Sequence, residues 1–191
     1  ARQHGGSWNE AQTEEEFVKP VLAALGWHFI VQPKSQRQGQ VTRPDYALFA
    51  DTANRDAAYP CQNDDAAFYS RAWAIAEAKY WERPLSQKDS SGRDVWKAQG
   101  NPSHQMVGYL VGTHAPWGIL TNGRTWRLYS REVSDTAGEF YEIDLGLVFD
   151  ALAPEAKPTP AQLDQFRYWW LFFRRDAFLP NAEGKGFVQR V

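Results

Sequence analysis

The chain has 191 residues, of which 43% are hydrophobic and 15% aromatic, and its formal net charge is −2. This length predicts one domain, spanning residues 1–191, with a substantial core, and the composition excludes a mainly disordered chain. The single cysteine excludes an internal disulfide and a cysteine zinc cluster. Apolar runs fall well short of the roughly 20 residues of a membrane-spanning helix, so we expect a cytoplasmic protein with no membrane role.

The charge balance bears on nucleic-acid binding. A chain that binds nucleic acid unaided usually carries a basic excess to neutralise phosphates, whereas this chain has 21 basic and 23 acidic side chains. We therefore expect weak DNA binding by the chain alone. Because the sequence begins with Ala1 rather than methionine, we expect a piece of a longer protein whose other parts supply DNA affinity.

The first predicted element is a helix over residues 14–25. Thr13 and Glu16 have the spacing of a capping box, apolar side chains then recur at helical intervals, and Gly26 offers a carboxyl-terminal stop. Pro20 lies inside this segment and predicts a kink, because proline lacks the amide donor and crowds the preceding turn.

Two short apolar runs, residues 45–50 and 72–78, predict strands of a buried sheet. The polar segment between them, residues 51–70, predicts a loop or insertion. A second polar segment, residues 82–100, predicts another flexible excursion.

The carboxyl-terminal half predicts a mixture of helices and strands. A helix is expected over residues 102–111, followed by strands over 117–120, 125–129 and 140–145, of which the first two are joined by an Asn-Gly turn. A cap-like start at Thr159 predicts a last helix that continues to Ala177. Since its apolar side chains occupy nearly all faces, we expect this helix to be buried, including against a partner domain. These elements together predict an α/β fold, a mixed sheet flanked by helices.

The second predicted strand carries two charged side chains at its end. Side chains two residues apart point to the same side of a strand, so Trp73, Ile75, Glu77 and Lys79 are expected to share one face. The alanines of residues 72–78 share the other face, which predicts a closely packed helix. Charges at the end of a buried strand are costly unless they are paired or bind a metal.

Asp45 begins the preceding strand, and strand pairing would bring it beside Glu77. Because two adjacent carboxylates repel each other and Mg²⁺ prefers oxygen ligands, we predict Asp45 and Glu77 as metal ligands, with Mn²⁺ as a substitute. Lys79 would then orient or deprotonate an attacking water, or stabilise charge on a phosphate. The alternatives are a turn aspartate and a surface Glu-Lys pair at a strand end.

Side chains outside these strands give weaker indications. Gln105 and Tyr109 lie one helical turn apart, where the amide would position a water or phosphate, although a half-exposed helix face explains them equally well. Glu10 and Glu14 would add a third carboxylate, but favourable charges at a helix start are the commoner explanation.

Arg124 and Arg127 follow the predicted turn and would contact phosphate, or else are solvated turn charges. The histidines lack ligand spacing, and the chain contains no glycine-rich phosphate-binding motif.

These residues carry a resemblance to a known family. Pro44-Asp45 followed by Glu77-Ala78-Lys79 resembles the PD-(D/E)XK nuclease motif, and Gln105 with Tyr109 resembles the QxxxY helix motif of its RecB-like branch. Beyond the motif, the likeness extends to the amino-terminal region of type IIG-like single-chain restriction-modification proteins, over residues 9–27, 117–129 and 168–178.

The resemblance implies a restriction-endonuclease-like fold and a magnesium-dependent endodeoxyribonuclease in restriction or phage defence. Its catalytic residues would be Asp45, Glu77, Lys79 and Gln105, and its partners would be double-stranded DNA and methyltransferase and target-recognition regions outside this chain. Two other functions remain open: a non-catalytic module with a nuclease fold that docks DNA or other domains, and a DNA repair nuclease.

Overall fold

A computed structural model describes residues 8–32, 36–37, 40–41, 43–87, 100–134, 136–150 and 157–190. The strands are β1 His28–Val31, β2 Gln36–Arg37, β3 Gln40–Val41, β4 Tyr46–Phe49, β5 Ala74–Ala78, β6 Trp117–Thr121, β7 Thr125–Ser130 and β8 Tyr141–Asp144. The α-helices are α1 Glu10–Thr13, α2 Lys19–Ala24, α3 Thr52–Ala58, α4 Asp65–Tyr69, α5 Pro102–Thr113, α6 Gly146–Asp150 and α7 Pro160–Phe173.

A six-stranded sheet in the order β1-β4-β5-β6-β7-β8 organises the fold. Only β5 and β6 pair in parallel within this sheet, and the other four pairings are antiparallel. The parallel pair requires a crossover, which contains α5, as parallel strands generally do. The predicted α/β class, a mixed sheet flanked by helices, is confirmed.

The two faces of the sheet bury different helices. On one face, Ala74, Ala76 and Ala78 of β5 join a core cluster with Val18 and Leu22 of the amino-terminal helical segment. On the other face, Ile75 joins a cluster that includes side chains of α4 and α5. Helix α5 approaches β6 so closely that a Cβ on Gly118 would lie 2.5 Å from the Met106 sulfur. The predicted packing of a helix on the alanine face is met by Val18 and Leu22, whereas the closest helix approach, that of α5 to Gly118, is on the opposite face.

The predicted strand alternation is wrong at its first two residues. Trp73 packs against the cluster on the alanine face, whereas Ala72 belongs to the opposite cluster. The reason is that β5 begins only at Ala74, and residues 72–73 precede the regular pleat.

The amino-terminal helix begins earlier than predicted. Asn9 is its cap: the Asn9 side chain accepts a 2.9 Å bond from Gln12 N, and the Gln12 side chain accepts a 3.0 Å bond from Asn9 N. Thr13 is therefore inside the helix, where its hydroxyl donates to Asn9 O and accepts a 3.0 Å bond from Trp81 N. A π-helical turn over Glu14–Val18 comes just before Pro20, where proline removes an amide donor.

The loop predicted over residues 51–70 is wrong, because this insertion contains α3 and α4. Asp51 caps α3 by accepting a 2.7 Å bond from Asn54 N, and Asp64 caps α4 by accepting a 3.1 Å bond from Ala67 N. The aspartates that resembled loop residues are therefore helix caps. Of the second predicted excursion, residues 88–99 lie outside the described residues.

The predicted hairpin between β6 and β7 is confirmed. Its turn comprises Asn122, Gly123 and Arg124, and the Asn122 side chain accepts bonds of 3.1 and 2.6 Å from the backbone N of Arg124 and Thr125. Gly123 has φ +84°, a left-handed conformation that favours glycine.

The predicted Thr159 cap of α7 is also confirmed, but the predicted burial of this helix is wrong within this chain, and burial against a partner domain stays a prediction. Within α7 only Trp169 and Phe173 are buried. These two side chains join the core cluster on the alanine face, and the other side chains of the helix are exposed or only partly buried. One side of the helix, here called the α7 apolar face, carries Leu163, Phe166 and Trp170 at helical spacing, and these are 42%, 43% and 36% exposed. Among the described residues, every helix is too short or too polar to cross a lipid bilayer.

Candidate functional site

Strand pairing brings two carboxylates together at one end of the sheet. Tyr46 pairs with Ala76 in the antiparallel β4-β5 register, which sets Asp45 opposite Glu77. Asp45 N donates a 3.2 Å bond to Glu77 Oε2, and Asp45 Oδ2 accepts a 2.9 Å bond from Ala78 N. Asp45 is only 3% exposed and Glu77 only 1%. The two residues, here called the acidic pair, are locked side by side by backbone bonds.

Lys79 completes this group. Its Nζ donates a 2.7 Å bond to Glu77 Oε1 and lies 3.9 Å from Glu10 Oε2. Lys79 is 1% exposed, so the alternative of a solvated surface pair at a strand end is wrong for this residue. A lysine so deeply buried is retained only where negative charge surrounds it.

The electrostatics of the site follow from burial and crowding of charge. Burial, followed by the negative charge of Asp45, raises the pKa of Glu77 from an ordinary 4.5 to about 8, even though Lys79 acts in the opposite direction. Burial lowers the pKa of Lys79, but Glu77, Glu10 and Asp45 together outweigh burial and raise it. Lys79 is therefore a cation at neutral pH, and the raised pKa of Glu77 favours a protonated carboxyl beside Asp45.

The two glutamates considered as third carboxylates separate in the structure. Glu10 faces Lys79, as described above, and its side chain is 12% exposed. Glu14 instead accepts a 2.6 Å bond from the Tyr46 hydroxyl, whose ring belongs to the cluster on the alanine face. Of the two, Glu10 is the carboxylate that approaches the lysine of the site.

Helix α5 presents the predicted Gln-Tyr pair toward the same end of the sheet. Gln105 Nε2 donates a 2.6 Å bond to the Tyr109 hydroxyl. Burial is the main cause that raises the pKa of Tyr109, and the charges of Glu77 and Asp45 raise it further. Tyr109 is 5% exposed, so the alternative of a half-exposed helix face fails for the tyrosine.

The two hairpin arginines lie in intramolecular ion pairs. Arg124 Nε lies 2.8 Å from Asp144 Oδ1, and Arg124 Nη1 lies 3.1 Å from Glu82 Oε1. Arg127 Nε lies 2.6 Å from Glu142 Oε2. Arg127 is 8% exposed and is therefore not a solvated turn charge, and phosphate contact by either arginine stays a prediction.

Sequence reasoning missed two polar side chains beside the acidic pair, Gln32 and Tyr69. Gln32 N donates a 2.8 Å bond to Asp45 O. Ile30 and Ala47, each two residues away from this pair, lie in one core cluster. Because side chains two residues apart share a strand face, the side chains of Gln32 and Asp45 lie on that same face. Gln32 Nε2 and the Tyr69 hydroxyl are buried without a hydrogen-bond partner in the structure. The alternation of β1 would have indicated Gln32, whereas Tyr69 leaves no comparable signal in the sequence.

A magnesium ion fits the chemistry of these donors. Within the described residues, no group of three or more histidine, cysteine, aspartate or glutamate side chains is arranged to hold a metal ion. Mg²⁺, however, commonly uses one or two carboxylates together with waters and substrate phosphate oxygens. Asp45 and Glu77 supply two hard oxygen donors, and the pKa of Glu77 is raised first by burial and then by the charge of Asp45, both of which a divalent cation would offset.

Comparison of the chain with protein-family models, with curated proteins and with solved structures finds no match. The resemblance to PD-(D/E)XK nucleases therefore depends on the motif residues and on their placement in this fold.

Proposed function

We propose that this chain is a magnesium-dependent endodeoxyribonuclease domain that hydrolyses phosphodiester bonds in DNA. The observation that carries the proposal is the convergence of Asp45 with Glu77 and Lys79, which lie more than 30 residues further along the chain; all three are at most 3% exposed. Two carboxylates and a lysine buried together at the end of a sheet are expensive for the fold. Binding of a divalent cation and of a phosphate would explain why these charged side chains are kept buried despite that cost.

Asp45 and Glu77 would hold the Mg²⁺ ion, and Mn²⁺ would substitute for it. Such an ion, when bound, polarises a phosphate oxygen and lowers the pKa of a coordinated water. The backbone bonds of Asp45 to Glu77 and Ala78 fix the two carboxylates before any ligand arrives. Preorganised donors of this kind reduce the reorganisation needed during the reaction.

Lys79 would act as a cation rather than as a base. Because the surrounding carboxylates raise its pKa, the ammonium keeps its proton at neutral pH. It would therefore stabilise the negative charge that develops on the phosphate and orient the attacking water. Gln105 Nε2 donates to the Tyr109 hydroxyl. The Gln105 Oε1 would then accept a hydrogen bond from that water.

DNA as the substrate agrees with the chemistry of the site, although the charge of the whole chain is small. With a net charge of −2, the chain would make few phosphate contacts and bind duplex DNA weakly and in a salt-dependent way. Sequence recognition and the protecting methyltransferase would then reside in other regions of a longer restriction-modification protein that acts in phage defence.

A second candidate function is a non-catalytic module that docks onto another domain. The α7 apolar face favours it, since the Phe166 and Trp170 rings are 43% and 36% exposed and stack with centroids 6.5 Å apart, and large exposed apolar side chains that cluster are typical of interaction surfaces. This alternative leaves the burial of Lys79 against Glu77 without a function, so the nuclease is the better supported of the two.

Cleavage of covalently closed supercoiled plasmid in the presence of Mg²⁺ tests the proposal. The wild-type chain should nick and linearise the plasmid, and EDTA should abolish the reaction. Asp45→Asn should be inactive but folded, because the asparagine Oδ1 can still accept the bond from Ala78 N. The control Asp164→Asn changes an aspartate whose side chain is 57% exposed and should remain active.

Three results would contradict the proposal. Equal cleavage by wild type and Asp45→Asn would place the chemistry elsewhere, and no cleavage by the wild type would favour the docking module. Cleavage restricted to linear DNA would indicate a repair nuclease that acts on ends.

A further inference from the structure

Helix α4 of the insertion over residues 51–70 is anchored beside the acidic pair. Arg43, two residues before Asp45, forms a 2.7 Å ion pair with Asp65 at the start of α4. Phe68 of α4 packs edge-to-face on Phe49 of β4, with ring centroids 6.0 Å apart. The insertion therefore folds back onto the strand that carries the first carboxylate.

The last residue of α4 is Tyr69, which is 2% exposed and belongs to the same core cluster as Ile75 and Tyr109. Its ring packs edge-to-face against Phe68 at 4.9 Å. Its hydroxyl, by contrast, is buried without a hydrogen-bond partner in the structure. A buried hydroxyl without a partner destabilises the folded chain, so packing alone would favour phenylalanine at this position.

The charge of Glu77 in the acidic pair influences the pKa of Tyr69. Burial is the main cause that raises the pKa of Tyr69, and the charges of Asp65 and Glu77 raise it further. Tyr69 in turn contributes to raising the pKa of Tyr109. Tyr69 packs in the same cluster as Tyr109 of α5 and as Ile75, which shares its strand face with Glu77, so Tyr69 lies on the side of the sheet that carries Glu77.

Two other unpartnered polar atoms border the same region. Gln32 Nε2 is buried next to Asp45, and Gln105 Oε1 is buried on the α5 side. Buried polar groups in folded proteins nearly always have partners. Three that lack one, on the side of the sheet that carries two buried carboxylates, are typical of a site whose polar groups are completed by a ligand.

We propose that the Tyr69 hydroxyl contacts the substrate, donating a hydrogen bond to a non-bridging oxygen of the phosphate held at the acidic pair. This inference rests on the proposed nuclease function. The insertion over residues 51–70 would then supply the Tyr69 hydroxyl as a neutral hydrogen-bond donor to the phosphate. A positively charged side chain at this position would instead compete with the Mg²⁺ ion. Tyrosine suits this role because its rigid ring is held by packing while its hydroxyl makes no hydrogen bond within the protein.

The test compares Tyr69→Phe with Tyr59→Phe in the full chain. Tyr59 belongs to the same insertion and is 52% exposed, so it controls for loss of a tyrosine hydroxyl outside the site. Three quantities are measured for each variant: the midpoint of thermal unfolding, the Mn²⁺ dissociation constant, and the rate constant for Mg²⁺-dependent cleavage of supercoiled plasmid.

Tyr69→Phe should lower the cleavage rate about 10- to 100-fold, the usual effect of losing one hydrogen bond to a charged group. Its unfolding midpoint should be equal to or above that of the wild type, and its Mn²⁺ affinity should be unchanged. Tyr59→Phe should match the wild type in all three measurements.

The contrary results are distinct. A wild-type rate in Tyr69→Phe overturns the contact and leaves the proposed nuclease intact. A lowered unfolding midpoint that accompanies slower cleavage assigns Tyr69 a structural role and also overturns the contact. A wild-type chain that neither cleaves DNA nor binds Mn²⁺ overturns the proposed function, and the Tyr69 contact falls with it.

Discussion

Replacing Glu77 with glutamine should flatten the pH dependence of stability. The pKa of Glu77 rises from an ordinary 4.5 to about 8 on folding, so between these values the folded chain binds more protons than the unfolded chain. The free energy of unfolding then falls as pH rises through this window, by about 1.4 kcal/mol per pH unit for one proton. Over the whole window the loss is on the order of 5 kcal/mol.

The measurement is urea unfolding of wild type and Glu77→Gln in EDTA, at several pH values from about 5 to about 9. Glutamine cannot ionise, so its profile should lack this decline, although losing one of the two acceptor oxygens lowers its stability near pH 5. Glu132→Gln, which removes an exposed carboxylate, should keep the wild-type slope. Parallel profiles for wild type and Glu77→Gln would refute the assignment of the raised pKa to this carboxyl.

Three further predictions follow from the same contacts. Lys79→Met should reduce the free energy of unfolding by about 3 kcal/mol, because it removes the buried cation that Glu77 contacts, and should abolish plasmid cleavage; Lys185→Met, at an exposed lysine, should do neither. Gln32→Met should raise the urea midpoint by removing an unpartnered buried amide, yet slow cleavage, and a lowered midpoint would contradict this. Gly118→Ala should cost about 1–3 kcal/mol through its collision with Met106, and an unchanged midpoint would show that α5 can shift freely.

The site residues were predictable to the extent that local pattern determines them. Glu77 and Lys79 share a face by strand alternation, and Asp45 meets Glu77 because two short apolar strands pair. The register is set by side chains such as Leu48 and Ala76 that must reach the same core cluster.

Other features depend on distant contacts and were not predictable. Helices α3 and α4 have 7 and 5 residues, too few to be stable without tertiary packing, so their sequence resembles a loop. The exposure of α7 depends on which of its faces meets the sheet. The position of Tyr69 depends on the fold of the whole insertion.

Because Lys79 is buried, a substitution there cannot separate its contribution to stability from its proposed role in cleavage. From the sequence alone, Lys79 resembles a surface lysine whose loss would alter stability little. At 1% exposure and 2.7 Å from Glu77, it contributes to the fold and to the proposed chemistry at once. Asp45→Asn separates stability from cleavage better, because the asparagine can still accept the bond from Ala78 N.

The most direct test of a divalent cation site at the acidic pair is a crystal structure of the chain grown with Mn²⁺, using anomalous scattering to locate the ion. The proposal predicts an anomalous peak bound by carboxylate oxygens of both Asp45 and Glu77, at about the 2.0–2.2 Å typical of such ligands, and its loss in Asp45→Asn. A well-diffracting crystal with no peak at these carboxylates, or with a peak that persists unchanged in Asp45→Asn, would contradict it.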